Sequence, residues 1–141
     1  MFKIILLLVA SLVISSNADA IAERRRIAQE CRVGKNVSDE VVENLVKNNY
    51  VDVDPTPENS CFARCVAQKF GFTKDDGDYN RDHVVNNAPS DLQPKFTEYM
   101  DACKEEVGVD ACQTAFKKNK CFFAKYEEGK SLWEKIKGFF G

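Results

Sequence analysis

The sequence predicts a small all-α domain, and three observations support that prediction. Apolar residues recur at helical spacing through most of the chain, with proline and glycine between the periodic stretches. No alternating apolar and polar run bounded by turn residues indicates a β-strand. Six cysteines in a chain of 141 residues with a net charge of −2 are typical of a disulfide-stabilised domain from an oxidising compartment.

Residues 1–20 have the form of a secretory signal peptide. A positive residue precedes an uncharged apolar run at 4–14, and Ala18-Asp19-Ala20 has the small residues of a cleavage site. The run is shorter than the about 20 residues that a membrane-spanning helix needs. We therefore expect a secreted, extracellular protein with one helical domain at 21–129 and an amphipathic tail at 130–141.

Three helices are expected in the first half of the chain, and capping residues place the starts of the second and third. The first is expected over 21–32, with its charged residues facing solvent: Glu23, Arg24, Arg25, Arg26 and Glu30. Ser38 suits the start of the second, because its hydroxyl can accept a hydrogen bond from a free backbone N–H. Thr56 followed by Pro57 predicts the start of the third helix, and Gly71 predicts its end.

Further helices are expected in the second half of the chain. A short one is placed at 81–86. The stretch Ser90-Asp91-Leu92-Gln93 has the form of a capping box and predicts a helix that continues to Val107. The last core helix is expected over Asp110–Lys125, and Ser131 is expected to cap a separate short helix in the tail.

The spacing of the cysteines limits how they can pair. Cys61 and Cys65 lie on one face of one helix and point the same way, so they should not bond each other. Cys112 and Cys121 are about 13 Å apart along a helix, whereas bonded Cα atoms lie within about 7 Å. Several pairings remain open, and each ties the helix of Cys61 and Cys65 to other elements at two points.

The full cysteine pattern resembles that of the insect odorant-binding proteins, of the six-cysteine pheromone-binding and general odorant-binding type. The spacing is Cys31-x29-Cys61-x3-Cys65-x37-Cys103-x8-Cys112-x8-Cys121. The segment Cys61-Phe62-Ala63-Arg64-Cys65, followed by Phe70-Gly71-Phe72, also matches. The resemblance covers all of the chain after residue 20 except the tail.

The resemblance implies about six helices around an internal hydrophobic cavity and three interlocked disulfides: Cys31–Cys65, Cys61–Cys112 and Cys103–Cys121. It implies a carrier that binds and transports small hydrophobic molecules such as odorants or pheromones, as a monomer or weak homodimer. A membrane receptor is a further candidate partner. No metal or other cofactor is expected, because one histidine and a single Cys-x3-Cys pair do not make a zinc site.

Side chains from four helices, one turn and the tail are the candidate lining of a ligand site. They are Val66, Phe70, Phe72, Val84, Val85, Phe96, Tyr99, Met100, Ala115, Phe116, Phe122, Phe123 and Trp133. Periodicity would equally place them in a filled core, so a lining role rests on the resemblance. The resemblance implies that role most directly for Phe122, the aromatic residue after the sixth cysteine. The hydroxyls of Tyr99 and Tyr126 are candidates for hydrogen bonding to a ligand oxygen.

Three further hypotheses concern the tail and two single residues. The tail is expected to cover the cavity, as tails of this family often do; an interfacial membrane helix and a frayed end are the alternatives. His83 is a candidate switch for ligand release on acidification, with a solvated histidine beside Asp82 as the alternative. Asn36 begins an N-glycosylation sequon, although Ser38 in that sequon is also the expected helix cap.

The sequence favours no catalytic function. It has one histidine and no nucleophile motif, and its carboxylates lie on expected helix surfaces. The nearly balanced charge argues against a nucleic-acid partner. The alternative to a carrier is a secreted interaction or defence protein whose amphipathic tail acts on a membrane or a receptor.

Overall fold

The computed structural model describes the backbone of residues 18–48 and 52–140 and the side chains of 18–47 and 52–129. In these residues the fold is all-α, and its only β-pairing is an isolated bridge between Thr73 and Tyr79. The helices are α1 (Ala18–Arg32), α2 (Asp39–Asn48), α3 (Pro57–Lys69), α4 (Arg81–Asn86), α5 (Gln93–Ala102) and α6 (Ala111–Phe140). The predicted fold class is confirmed.

Local hydrogen bonds set the starts of α2 and α3 at the predicted residues. The Val41 amide donates to Ser38 Oγ at 3.2 Å, and the Asn59 amide donates to Thr56 Oγ1 at 3.1 Å. Each bond satisfies a backbone donor that the first helical turn leaves without a partner. After α3, Gly71 takes a φ of 77°, which glycine adopts without the steric cost of a Cβ.

The start of α5 differs from the prediction. Ser90–Leu92 forms a 3-10 turn instead of the first turn of an α-helix, and α5 begins at Gln93. Pro94 stands in the first turn of α5, where its fixed φ suits the helix and its missing N–H leaves no donor unpaired. The proline therefore marks the start of the helix, and the predicted capping box at Ser90 was wrong.

The end of α5 also differs from the prediction. The helix stops at Ala102 and does not continue to Val107. Just beyond it, the Cys103–Cys121 disulfide and a hydrogen bond of 2.8 Å from Lys118 Nζ to the Lys104 carbonyl oxygen hold the chain in a turn. Because α6 supplies partners for this turn, the chain leaves the helix, and Val107 is 62% exposed.

The last helix is longer than predicted. Asp110 Oδ1 accepts a hydrogen bond of 2.8 Å from the Gln113 amide at its start, and α6 then continues without a break through Gly129. The prediction of a separate helix beginning at Ser131 was therefore wrong. Gly129 stays in the helix, and its missing Cβ makes room for Tyr99, since a Cβ there would lie 2.5 Å from Tyr99 Oη.

Three disulfides tie these helices together. Cys31–Cys65 joins α1 to α3 with its Cα atoms 5.8 Å apart, and Cys61–Cys112 joins α3 to α6 with its Cα atoms 4.6 Å apart. Cys103–Cys121 joins the turn after α5 to α6, with a Cα–Cα distance of 5.9 Å. This is the interlocked pairing that the resemblance implies. It holds α3 at two points, as the helical spacing of its cysteines requires.

Candidate ligand-binding site

Seven of the described aromatic side chains form one continuous group, which we call the aromatic cluster: Phe72, Tyr79, Phe96, Tyr99, Phe122, Phe123 and Tyr126. Phe122 lies at its centre. Its ring centroid is 4.9 Å from that of Phe72, 5.3 Å from that of Phe96 and 5.7 Å from that of Tyr99. These three pairs meet edge to face, which is a favoured arrangement for aromatic rings.

The sequence brings these rings together through helical spacing and one turn. Phe122 and Tyr126 are four residues apart on α6, so they share a face. Phe96 and Tyr99 are three residues apart on α5 and meet that face from the other side. Phe72 enters directly after the α3 glycine turn, where its amide donates to the Ala67 carbonyl oxygen at 2.9 Å. The cluster thus joins three parts of the chain.

Most of the predicted lining residues lie in the buried core. Ten of them are each at most 3% exposed: Val66, Phe70, Phe72, Val84, Phe96, Met100, Ala115, Phe116, Phe122 and Phe123. Val85 and Tyr99 are half-buried and pack against that core. Trp133 lies outside the described side chains, so its predicted role and the predicted roles of the tail stay predictions.

Phe116 differs from the other buried phenylalanines in what surrounds it. It lines an open groove of about 330 Å³ together with Pro55, Lys117 and Lys120. The ammonium nitrogen of Lys120 lies 5.8 Å from the centroid of the Phe116 ring. Phe116 thus differs from Phe122 in bordering a surface groove, whose charged lining residues are Glu106, Lys117 and Lys120.

Tyr79 is a member of the cluster that helical periodicity could not identify, because it lies in a polar loop. Its hydroxyl donates to the Lys118 carbonyl oxygen, and the ammonium nitrogen of Lys118 lies 5.4 Å from the centroid of its ring. Burial raises the pKa of the Tyr79 phenol, because the low-dielectric interior disfavours the phenolate. The sequence signal that could have identified Tyr79 as buried is that it is a single aromatic residue in a loop of turn-forming residues.

Tyr99 and Tyr126, whose hydroxyls are proposed for ligand contact, both pack against Phe96. Tyr99 Oη packs against Gly129, and the Tyr126 ring centroid lies 6.4 Å from that of Phe96. Burial is the main cause that raises the pKa of Tyr126, and the neighbouring Glu127 and Tyr99 raise it further. The raised pKa keeps the Tyr126 phenol neutral, and a neutral phenol can donate a hydrogen bond.

Arg24 was predicted to face solvent, and that prediction was wrong. Arg24 is only 5% exposed, and its Nη1 donates to the Val46 carbonyl oxygen at 3.1 Å. Arg24 lies three residues before Ile27 and four before Ala28, so helical spacing puts it on the buried face of α1. Burial lowers the pKa of its guanidinium, and interaction with Tyr126 raises it.

The other residue-level hypotheses stay predictions. His83 is half-buried, and its ring packs on the turn after α3, because a Cβ at Gly71 would lie 2.3 Å from His83 Nε2. Asn36 is exposed. In the described part of the chain, no group of three or more metal-ligating residues could hold a metal ion, and no helix is long and apolar enough to cross a membrane.

Comparison with known proteins agrees with this architecture. A model of the PBP/GOBP family matches residues 15–125, and the chain belongs to that family. It is 27% identical over 120 residues to general odorant-binding protein 69a of Drosophila melanogaster, covering 85% of this chain and 78% of that protein.

Two solved structures have the same fold. The fatty acid binding protein OBP56a from the oral disk of the blowfly Phormia regina matches with a TM-score of 0.63 at 26% identity, covering 82% of this chain and 98% of that one. The odorant-binding protein OBP28a of Drosophila melanogaster matches with a TM-score of 0.57 at 17% identity, covering 79% of this chain and 96% of that one.

Proposed function

We propose that this protein is a secreted, non-enzymatic carrier that binds and transports small hydrophobic molecules at the aromatic cluster. The observation that carries the proposal is the position of Phe122, a fully buried ring contacted by rings from α5 and from the turn after α3. An apolar ligand against these rings gains roughly 25 cal/mol for each Å² of apolar surface removed from water. Most of the affinity would therefore come from burial and not from a specific polar contact.

Family membership and named relatives support the ligand class. One matched protein is described as fatty acid binding and two as odorant-binding. Their shared chemistry is a small, mostly apolar molecule with at most one polar end. The hydroxyls of Tyr99 and Tyr126, next to the cluster, would hydrogen-bond such an end. The proposal also includes, as ligand contacts, the predicted lining residues that are buried beside the cluster.

Secretion is supported by the signal-peptide pattern at 1–20 and by the three disulfides, which persist in oxidising compartments. The same disulfides fix the relative positions of α1, α3 and α6 by covalent bonds. This arrangement suits a carrier, because ligand can enter and leave while the covalent frame stays intact.

The test is displacement of a fluorescent apolar probe from the disulfide-bonded protein, with a pair of matched variants. Phe122→Leu removes the central ring but keeps apolar bulk, and it should weaken probe binding about 3- to 10-fold, the value of lost aromatic contacts. Phe62→Leu is the control, because Phe62 is as fully buried but lies outside the aromatic cluster. It should lower stability and leave the affinity nearly unchanged.

Two results would contradict the carrier function. One is the absence of saturable probe binding by the wild-type protein with all disulfides formed. The other is leakage of lipid vesicles that is lost when residues 130–141 are deleted, which would favour the interaction or defence alternative. Mass spectrometry of ligand that copurifies with the protein would identify the ligand class directly.

A further inference from the structure

Asn119 is a buried polar residue for which the proposed function gives no role. It stands on α6 three residues before Phe122 and four before Phe123, so helical spacing puts it on the face that carries these two rings. It is 1% exposed. Its Nδ2 donates to Thr73 Oγ1 at 3.1 Å, whereas its Oδ1 is buried and has no hydrogen-bond partner.

The contact with Thr73 places this amide beside the aromatic cluster. Thr73 directly follows Phe72 in the chain and pairs with Tyr79 through the isolated bridge. The ring centroids of Phe72 and Tyr79 are 6.0 Å apart. On the α6 side, the residue before Asn119 is Lys118, whose carbonyl oxygen accepts the hydrogen bond of the Tyr79 hydroxyl. The unpaired acceptor therefore lies next to the part of the cluster that Phe72 and Tyr79 form.

Two donors in this region already have other partners. The Tyr79 hydroxyl donates to the Lys118 carbonyl oxygen, and the Asn80 amide donates to the Phe72 carbonyl oxygen at 3.0 Å. A buried acceptor without a donor costs free energy, because folding has removed its hydrogen bonds to water. A bound molecule that donates to Asn119 Oδ1 would recover that cost.

A carboxamide oxygen selects a ligand by the direction of the hydrogen bond. It accepts and cannot donate, whereas a tyrosine hydroxyl can do both. The hydroxyls of Tyr99 and Tyr126 would therefore bind an alcohol and a ketone alike. Asn119 Oδ1 would bind the alcohol and disfavour the ketone, because two acceptor oxygens would then face each other without a hydrogen atom between them.

We propose that Asn119 is a specificity-determining residue that makes this carrier favour apolar ligands with a hydroxyl group over ligands of the same carbon skeleton whose polar group only accepts. Thr73 is the positioning residue, because its hydroxyl holds Nδ2 and leaves Oδ1 for the ligand. This inference rests on the proposed carrier function and adds the class of polar group that the ligand carries.

The experiment compares one ligand pair on variants of the disulfide-bonded protein. 2-Dodecanol and 2-dodecanone have the same carbon skeleton, and each competes with the fluorescent apolar probe at neutral pH. Asn119→Ala removes the acceptor, so the ratio of alcohol to ketone affinity should fall about 3- to 10-fold from its wild-type value. Because the ratio is compared between proteins, the difference in hydration between the two ligands cancels.

Ser60→Ala is the matched control. Ser60 is also 1% exposed, and its Oγ also has no hydrogen-bond partner, but it stands on α3 and outside the aromatic cluster. Its ratio should stay within about 2-fold of the wild-type value. A fall in Ser60→Ala as large as that in Asn119→Ala would contradict a role specific to Asn119.

Thr73→Val is a second variant, and it decides the test if Asn119→Ala does not fold by circular dichroism. Valine keeps the shape of the side chain but removes the oxygen that holds Nδ2. The ratio should fall, by less than in Asn119→Ala, because Oδ1 is still present but less well positioned. An unchanged ratio in this variant would count against the inference.

Two results with folded Asn119→Ala would overturn the inference. An unchanged ratio would mean that Oδ1 faces an internal water or no group at all, and not the ligand. Equal weakening of both ligands would mean that Asn119 acts on the fold alone. Absence of saturable probe binding by the wild-type protein is a separate result, which would overturn the carrier function and this inference with it.

Discussion

The two parts of α6 are held in different ways. Its first part carries Cys112 and Cys121, so two disulfides connect it to α3 and to the turn after α5. The part from Phe122 to Gly129 has no cysteine and is held by ring contacts with Phe72, Phe96 and Tyr99. One helix thus passes from a segment fixed by disulfides to a segment without them, whose rings pack against other elements.

This difference separates stability from adaptability. A disulfide constrains the chain whatever lies beside it, whereas an aromatic contact can be exchanged for a contact with a ligand. The three α6 members of the aromatic cluster, Phe122, Phe123 and Tyr126, stand in the segment without disulfides. Under the proposed function, the disulfide frame stays fixed while the rings around Phe122 adjust to an apolar ligand.

The largest expected effect comes from removing one disulfide from the first part of α6. Cys61→Ser with Cys112→Ser should lower the free energy of unfolding by about 2–5 kcal/mol. Cys103→Ser with Cys121→Ser should lower it by roughly 1 kcal/mol less, because the first bridge closes a separation of 51 residues and the second one of 18. Urea unfolding measures both. Equal or reversed losses would contradict loop closure as the source of the stabilisation.

A smaller effect is expected for Tyr79→Phe, which removes the hydrogen bond to the Lys118 carbonyl oxygen on the first part of α6. The loss should be about 1 kcal/mol at neutral pH. Because burial raises the pKa of folded Tyr79, the wild-type protein keeps this contribution below pH 10.0, the ordinary tyrosine value, and loses it as pH rises further.

Urea unfolding at about pH 8 and about pH 11 therefore checks the role of Tyr79. Tyr79→Phe should lose less stability between the two pH values than wild type does. Some loss should remain, since burial raises the pKa of Tyr126 as well. An identical fall in both proteins would show that Tyr79 does not cause it.

The smallest effect is expected at Gly129, in the second part of α6. Alanine inside a helix is favoured over glycine by about 0.5–1 kcal/mol, but a Cβ at this position would lie 2.5 Å from Tyr99 Oη. Gly129→Ala should therefore fail to stabilise the wild-type protein. In a Tyr99→Phe background it should stabilise by about 0.5–1 kcal/mol, since that hydroxyl is gone. A thermal double-mutant cycle measures the coupling, and additive effects would contradict the close approach.

The correct and incorrect predictions differ in how far apart the interacting residues are in the chain. The Ser38 and Thr56 caps bond to amides three residues away, so the local sequence contains both partners. The end of α5 depends on Lys118, which lies 14 residues beyond the carbonyl group it contacts. Periodicity predicts a longer helix there because it cannot include a partner supplied by another helix.

The candidate site shows the same limit. Helical spacing correctly placed Phe96 and Phe123 inside, and the family resemblance pointed to Phe122, but helical spacing could not place Tyr79, whose loop has no period. Arg24 had the spacing of a buried residue, and its charge led to the opposite prediction. Its burial depends on the Val46 carbonyl oxygen, 22 residues away in the chain, which accepts a hydrogen bond from its guanidinium group.

The sequence by itself determined the helical class, most helix starts and, through the cysteine spacing, the family to which the chain belongs. These properties depend on local hydrogen bonds, on periodicity and on the number of residues between cysteines. Only the tertiary structure decided that α6 continues through Gly129, that seven rings form one cluster and that Arg24 lies inside. Each of these features depends on contacts between segments that are distant in the chain. The spacing of residues along one segment carries no information about the segment that packs against it.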